Sequence, residues 1–184
     1  MRRRVLVPLA PGFEEIETIS VVDILRRAGA EVILAGTEEG PVKGSRGVLV
    51  VPDQLLGEVL NQEFDLVVLP GGQPGVTNLQ SNQGLIDMLK NQDRKEKHIA
   101  AICAAPLVLK DAGLIQEQKT TSHPSIREDL IRYTDYSEER VVVDGRYVTS
   151  RSPGTAIEFA LKLVEILFGK EMVEKVNAGV MAKI

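Results

Sequence analysis

A chain of 184 residues, 43% hydrophobic and 26% charged, has the length and composition of one folded domain spanning residues 1–184. Its net charge of -4 argues against general nucleic-acid binding and against anionic membranes, since both need surplus Lys and Arg to neutralise phosphate. One cysteine cannot form an intrachain disulfide and, with only two histidines, supplies too few ligands for a zinc site, so a reducing, cytoplasmic setting fits.

The opening MRRRVLVPLAPGFEE has a basic end and then an apolar run, as a signal peptide does. The run Val5 to Ala10 is too short for a signal core, and acidic residues follow at once. Residues 3–10 therefore read as a buried strand. EEIETISVVDILRRAG (14–29) reads as a helix closed by Gly29, and EVILAG (31–36) as a second strand. VKGSRGVLVVP (42–52) reads as a short hairpin. DLVVLPGG (65–72) is a strand ending in two glycines, and GLIDMLKNQDRK (84–95) a helix. HIAAIC (98–103) is a strand, and AAPLVLKDAG (104–113) a helix stopped by Gly113. ERVVVDGRYVTS (139–150) reads as a hairpin around Asp144-Gly145. TAIEFALKLVEILFG (155–169) reads as the last long helix, with Thr155 and Glu158 as a capping box. No stretch reaches membrane-spanning length.

Strands alternating with helices imply an α/β sandwich with a mainly parallel central sheet and helices on both faces. Sites in such sheets form at the C-terminal strand ends. Three ends matter here: LAPGFEE (9–15), LPGG (69–72) and AICAAP (101–106). The helix at 155–169 has one polar stripe, Glu158, Lys162 and Glu165, and is otherwise apolar. Such a helix is either deeply packed or part of a subunit contact, and deep packing is the commoner case.

Cys103 ends one strand and precedes a helix, so its side chain should face the cleft above the sheet, as at the nucleophile elbow of hydrolases. The N–H groups of the following helix start should favour thiolate and lower the thiol pKa. An inert buried cysteine is the bland alternative. Glu17 shares a helical face with Val21, Ile24, Leu25 and Ala28, whereas Glu15, Asp23, Arg26 and Arg27 fall on other sides. A carboxyl on a core-facing stripe should have a raised pKa and serve as a proton donor, unless a buried Arg or a backbone cap neutralises it.

His123, in TTSHPSI (120–126), is held extended by the proline after it. Near a cysteine and a glutamate it would act as a base or as a polar contact for substrate. His98, beside Lys97, reads as a solvated strand start. Gly71 and Gly72 permit a sharp turn after a strand, and the N–H groups of Gly72 and Ala104 could form an oxyanion site. Neither G-x-G-x-x-G nor G-x-x-x-x-G-K-[ST] occurs, so dinucleotide and P-loop functions have little support.

LAPGFEEIE, VVDILRRAG, VVLPGG, AAICAAP, SHP and TSRSPGTAIEFALKLVE together, in order and over nearly the whole chain, resemble the DJ-1 family within the DJ-1/ThiJ/PfpI superfamily. The resemblance implies a flavodoxin-like sandwich and a homodimer. It implies an oxidation-sensitive cysteine at Cys103, a protonated glutamate bonded to it at Glu17, a backbone donor at Gly72 and a nearby histidine at His123. Two pocket arginines would be Arg46 and Arg151, and Asp23 and Arg27 would lie toward the dimer contact. Members resembling the PfpI proteases carry a His directly after the Cys. Here that residue is Ala104, which puts peptidase or amidase activity in doubt.

The activity so implied is conversion of small reactive aldehydes such as methylglyoxal to hydroxy acids, with no metal or nucleotide cofactor, and protein deglycation by extension. The alternative is an oxidative-stress sensor or redox-dependent chaperone, working through oxidation of Cys103.

Overall fold

Alternate residues of the first strand, β1 (Arg4–Leu9), enter two different cores: Leu6 one, and Val5, Val7 and Leu9 the other. β1 lies inside a sheet covered on both sides, which is why the run is continuously apolar. The computed structural model describes residues 3–183, so Met1, Arg2 and Ile184 of the expected 1–184 unit lie outside it.

After β1 come α1 (Glu15–Arg27), β2 (Glu31–Gly36), a hairpin of β3 (Val42–Lys43) and β4 (Leu49–Val50), then β5 (Gln54–Leu55) and α2 (Leu56–Val59). Next are β6 (Leu66–Leu69), α3 (Gly75–Gln80), α4 (Gln83–Arg94), β7 (His98–Ile102) and α5 (Pro106–Asp111). The chain continues through β8 (Lys119–Thr120), a 3-10 turn (Pro124–Ile126), α6 (Arg127–Leu130) and β9 (Asp135–Tyr136). It closes with β10 (Val141–Asp144), β11 (Tyr147–Ser150), α7 (Ala156–Phe168) and α8 (Lys170–Val180).

Seven strands form one sheet in the order β10-β11-β7-β6-β1-β2-β5, parallel except at β10. One core lies between the sheet and α3, α4 and α5, and holds Leu79, Leu85, Leu89 and Val108. The other lies beneath α1, α7 and α8, and holds Val21, Leu25, Phe159 and Val164. This is the flavodoxin-like α/β sandwich, with the C-terminal ends of β1, β6 and β7 side by side at one rim.

The short outer segments differ from the sequence reading. The helix at 156–168 is not the last: after Gly169, at φ 86°, the chain continues into α8. Only Val176 of α8 is buried, so its pattern carries little helical signal. Thr155 and Glu158 do not form a capping box. Glu158 instead accepts from Arg140 Nε at 2.7 Å, and Thr155 Oγ1 takes the Ser152 N–H at 3.1 Å. The hairpin turn is Gly145-Arg146, one residue beyond the expected pair, because Asp144 pairs with Tyr147. α7 is deeply packed, with Phe159, Leu163 and Val164 fully covered. Among the described residues no helix is long and apolar enough to cross a membrane.

Candidate active site

Three strand ends supply the site. β7 delivers Cys103, β6 delivers Gly71 and Gly72, and the turn after β1 leads into α1 with Glu17. Cys103 holds a left-handed backbone at φ 66°, unusual for a residue with a side chain. Its N–H donates to Ser150 O at 2.9 Å, and its carbonyl accepts the His123 N–H at 2.9 Å. Hydrogen bonds from both flanks thus hold the strained residue at the rim.

Glu17 is fully buried on the inner face of α1, as the helical pattern requires. Its Oε2 accepts the Gly71 N–H at 2.8 Å. Its Oε1 is buried without a conventional hydrogen-bond partner, and the polar group beside the carboxyl is the Cys103 thiol. Burial raises the Glu17 pKa to about 7, against the opposing pull of Cys103 and of the Gly71 N–H.

The thiol does not follow the expectation of a depressed pKa. Burial, and then the charge of Glu17, push it up to about 12, and the Ala104 and Gly72 N–H groups oppose this only in part. The repulsion exists only while Glu17 is ionised. The pair therefore holds at most one negative charge readily, and Cys103 gives up its proton most easily while Glu17 keeps its own. The donors to sulfur are also not those of a helix start, since α5 begins only at Pro106.

Both glycines are required by space. A Cβ on Gly71 would lie 2.6 Å from Cys103 Cβ and 2.7 Å from Glu17 Oε2. Gly72, at φ 92°, would place a Cβ 2.4 Å from the Glu14 nitrogen. The N–H of Gly71 thus serves Glu17, whereas those of Gly72 and Ala104 face the sulfur.

Cys103 opens into a cavity of about 400 Å³ that is also lined by Glu14, Ser45, Arg46, Gly72, Gln73, His123 and Pro153. The structure therefore brings together Cys103, Glu17, Gly71, Gly72, Ala104, His123 and Arg46. Arg151 is not among the lining residues: its guanidinium donates to the Glu138 carbonyl at 2.8 Å. His98 is half-buried rather than solvated, with Nδ1 covered and without a partner. Among the described residues no three His, Cys, Asp or Glu side chains gather as metal ligands.

Sequence reading missed Glu14 and Glu15. Glu14 caps α1, its Oε2 taking the Glu17 N–H at 2.8 Å, and also lines the cavity. Glu15 is buried rather than turned outward, and accepts from Arg46 N, Ser45 Oγ and Val48 N at 2.6, 3.1 and 3.4 Å. Gly44 makes room for this carboxyl: a Cβ there would come within 2.5 Å of Glu15 Oε1.

The chain is similar along its full length to proteins of one kind. Residues 3–166 match the DJ-1/PfpI family. Protein dj-1beta of Drosophila melanogaster is 45% identical over 183 residues, 98% of each chain. Its crystal structure superposes at a TM-score of 0.98, covering 100% of both chains at 44% identity. The Toxoplasma gondii structure described as oxidized DJ-1 matches at 0.95, with 42% identity over 99% of this chain and 100% of that one. The Caenorhabditis elegans protein named glutathione-independent glyoxalase DJR-1.2 is 40% identical over 172 residues, 92% of this chain and 91% of its own. In sequence over residues 3–166 and in fold throughout, the chain belongs to the DJ-1/PfpI family.

Proposed function

We propose that this protein is a cofactor-free enzyme that converts small 2-oxoaldehydes to 2-hydroxy acids, with Cys103 as nucleophile and Glu17 as proton carrier. The observation that carries the reading is the buried Glu17 carboxyl set against the Cys103 thiol, with its pKa raised to about 7. The name of the C. elegans relative supports the same reading.

Cys103 thiolate, formed while Glu17 is protonated, adds to the aldehyde carbon, and Glu17 passes its proton to the aldehyde oxygen, giving a hemithioacetal and leaving Glu17 as carboxylate. The N–H groups of Gly72 and Ala104 stabilise charge on that oxygen as it develops. Glu17, as carboxylate, removes the proton from the former aldehyde carbon. It then returns a proton to the neighbouring carbon through an enediol, which leaves a 2-hydroxy thioester. Water cleaves the thioester, releasing the hydroxy acid and the free thiol. A pKa near 7 leaves Glu17 able to take and return that proton at neutral pH.

The test is methylglyoxal consumption and lactate formation by the intact protein and by Cys103→Ser. Lactate formed over many turnovers, and only with the thiol, is the expected result. Aldehyde loss that stops near one equivalent, without lactate, would overturn it.

A second reading, oxidation sensing, is favoured by the same sulfur: it is partly exposed and faces two N–H donors and a carboxyl that could hold sulfinate oxygens. Stable gain of two oxygens at Cys103 under mild peroxide, together with altered partner binding and no aldehyde turnover, would favour it. An amidase reading is weaker, because Ala104 stands where an adjacent histidine would be needed.

We also propose a homodimer. Ile16 and Ile19 on α1, and Val48, Leu49 and Val51 around β4, are exposed apolar side chains near the turn that Glu15 anchors.

A further inference from the structure

His123 caps the 3-10 turn at Pro124–Ile126 and lines the Cys103 cavity. Its backbone is extended, at φ -60° and ψ 138°, as a residue before proline should be. Its Nδ1 accepts the backbone N–H of Ser125 at 3.2 Å and lies 2.8 Å from Ser125 Oγ. A backbone N–H only donates, so Nδ1 presents its lone pair. The proton of the neutral ring is then on Nε2, and the Ser125 hydroxyl donates as well. The His123 N–H binds the carbonyl of Cys103, which ties this loop to the nucleophile itself.

We infer that His123 serves the site as an Nε2–H hydrogen-bond donor to a substrate oxygen, not as a general base, and that Ser125 is the positioning residue that fixes this tautomer. The inference rests on the aldehyde-converting function proposed above. It assigns a partner to the second oxygen of those 2-oxoaldehydes, the one beside the aldehyde. The Gly72 and Ala104 N–H groups would hold one oxygen while His123 holds the other. No proton passes to His123 in any step.

Two experiments test this. Long-range proton–nitrogen NMR correlations of histidine-labelled protein, without substrate, should show Nε2–H as the neutral tautomer of His123. A neutral ring with its proton on Nδ1 would overturn the assignment, and this readout stands even if methylglyoxal is not turned over.

With methylglyoxal, His123→Gln keeps an N–H donor but has no basicity. It should retain at least about tenfold more activity than His123→Leu, whereas loss of a general base would cost both variants alike, about a hundredfold or more. Ser125→Ala should lower kcat severalfold when His123 is present, with recovery in Ser125→Thr, and have no effect in the His123→Gln background. Equal losses in the Gln and Leu variants, or an equal Ser125→Ala effect in both backgrounds, would overturn the inference.

Discussion

The Glu15 carboxylate takes the backbone N–H of Arg46 at 2.6 Å, and so joins the first turn of α1 to the turn that carries Ser45 and Arg46 over Cys103. Burial raises the Glu15 pKa, but the N–H of Arg46 and the neighbouring donors outweigh it and hold the carboxyl below the ordinary glutamate value of 4.5. A lowered pKa stabilises the fold above that value, and the stabilisation is lost as pH falls through the lowered one. Glu15→Ala should free the turn, with a loss of about 1–3 kcal/mol. Amide exchange at Arg46 and Val48 measures this directly. Unchanged exchange would show that the turn holds itself.

Glu17 runs the opposite way. Its pKa rises from 4.5 to about 7, so the folded state keeps a proton that the unfolded chain gives up. Stability is therefore full below 4.5 and declines as pH rises toward 7, by roughly 3 kcal/mol. Urea unfolding across that window should show the slope, and Glu17→Gln should remove its share. The same variant should slow iodoacetamide alkylation of Cys103 below about pH 7, where it loses the carboxylic acid O–H that supports thiolate better than an amide N–H, and speed it above, where the carboxylate charge that pushes the thiol up is gone. A superimposable curve would take Glu17 out of the site.

Gly71→Ala tests the packing of the pair. The new Cβ would meet Cys103 Cβ at 2.6 Å and Glu17 Oε2 at 2.7 Å, and neither neighbour is free to withdraw. Overpacking of this kind costs about 1–3 kcal/mol. A lower melting temperature and slower alkylation of Cys103 are expected. A variant as stable and reactive as the parent would show that the strand end can shift.

Ile19→Glu places a charge in the exposed apolar patch of α1. Sedimentation velocity should show the parent as a dimer and the variant shifted toward monomer, with melting of the single chain little changed. A monomeric parent at micromolar concentration would remove the dimer proposal.

What could be read from the sequence was what repeats locally. β1, β2, β6 and β7 are continuous apolar runs because both sheet faces are covered, and Glu17 stands out because the residues four, seven and eight positions further along α1, Val21, Ile24 and Leu25, are hydrophobic and share its face. Cys103 stands out because a strand pattern meets a helix pattern there. Glu15 was hidden, since its partners lie about 30 residues away in a turn with no periodicity. Glu158 was misread for the same reason, its partner Arg140 being 18 residues distant. β8 and β9 have two residues each, too few for alternation to be seen. The thiol pKa was misjudged because position on an elbow says nothing of how much water the sulfur loses.

The left-handed backbone at Cys103 sets the protein's evolutionary options. For any residue other than glycine that conformation costs about 1–2 kcal/mol, so the thiol occupies a place where glycine would sit more easily. Drift under selection for folding alone would favour a mutation that erases the nucleophile and leaves the architecture intact. A lineage in which position 103 had become glycine would be a sound scaffold that has given up its chemistry.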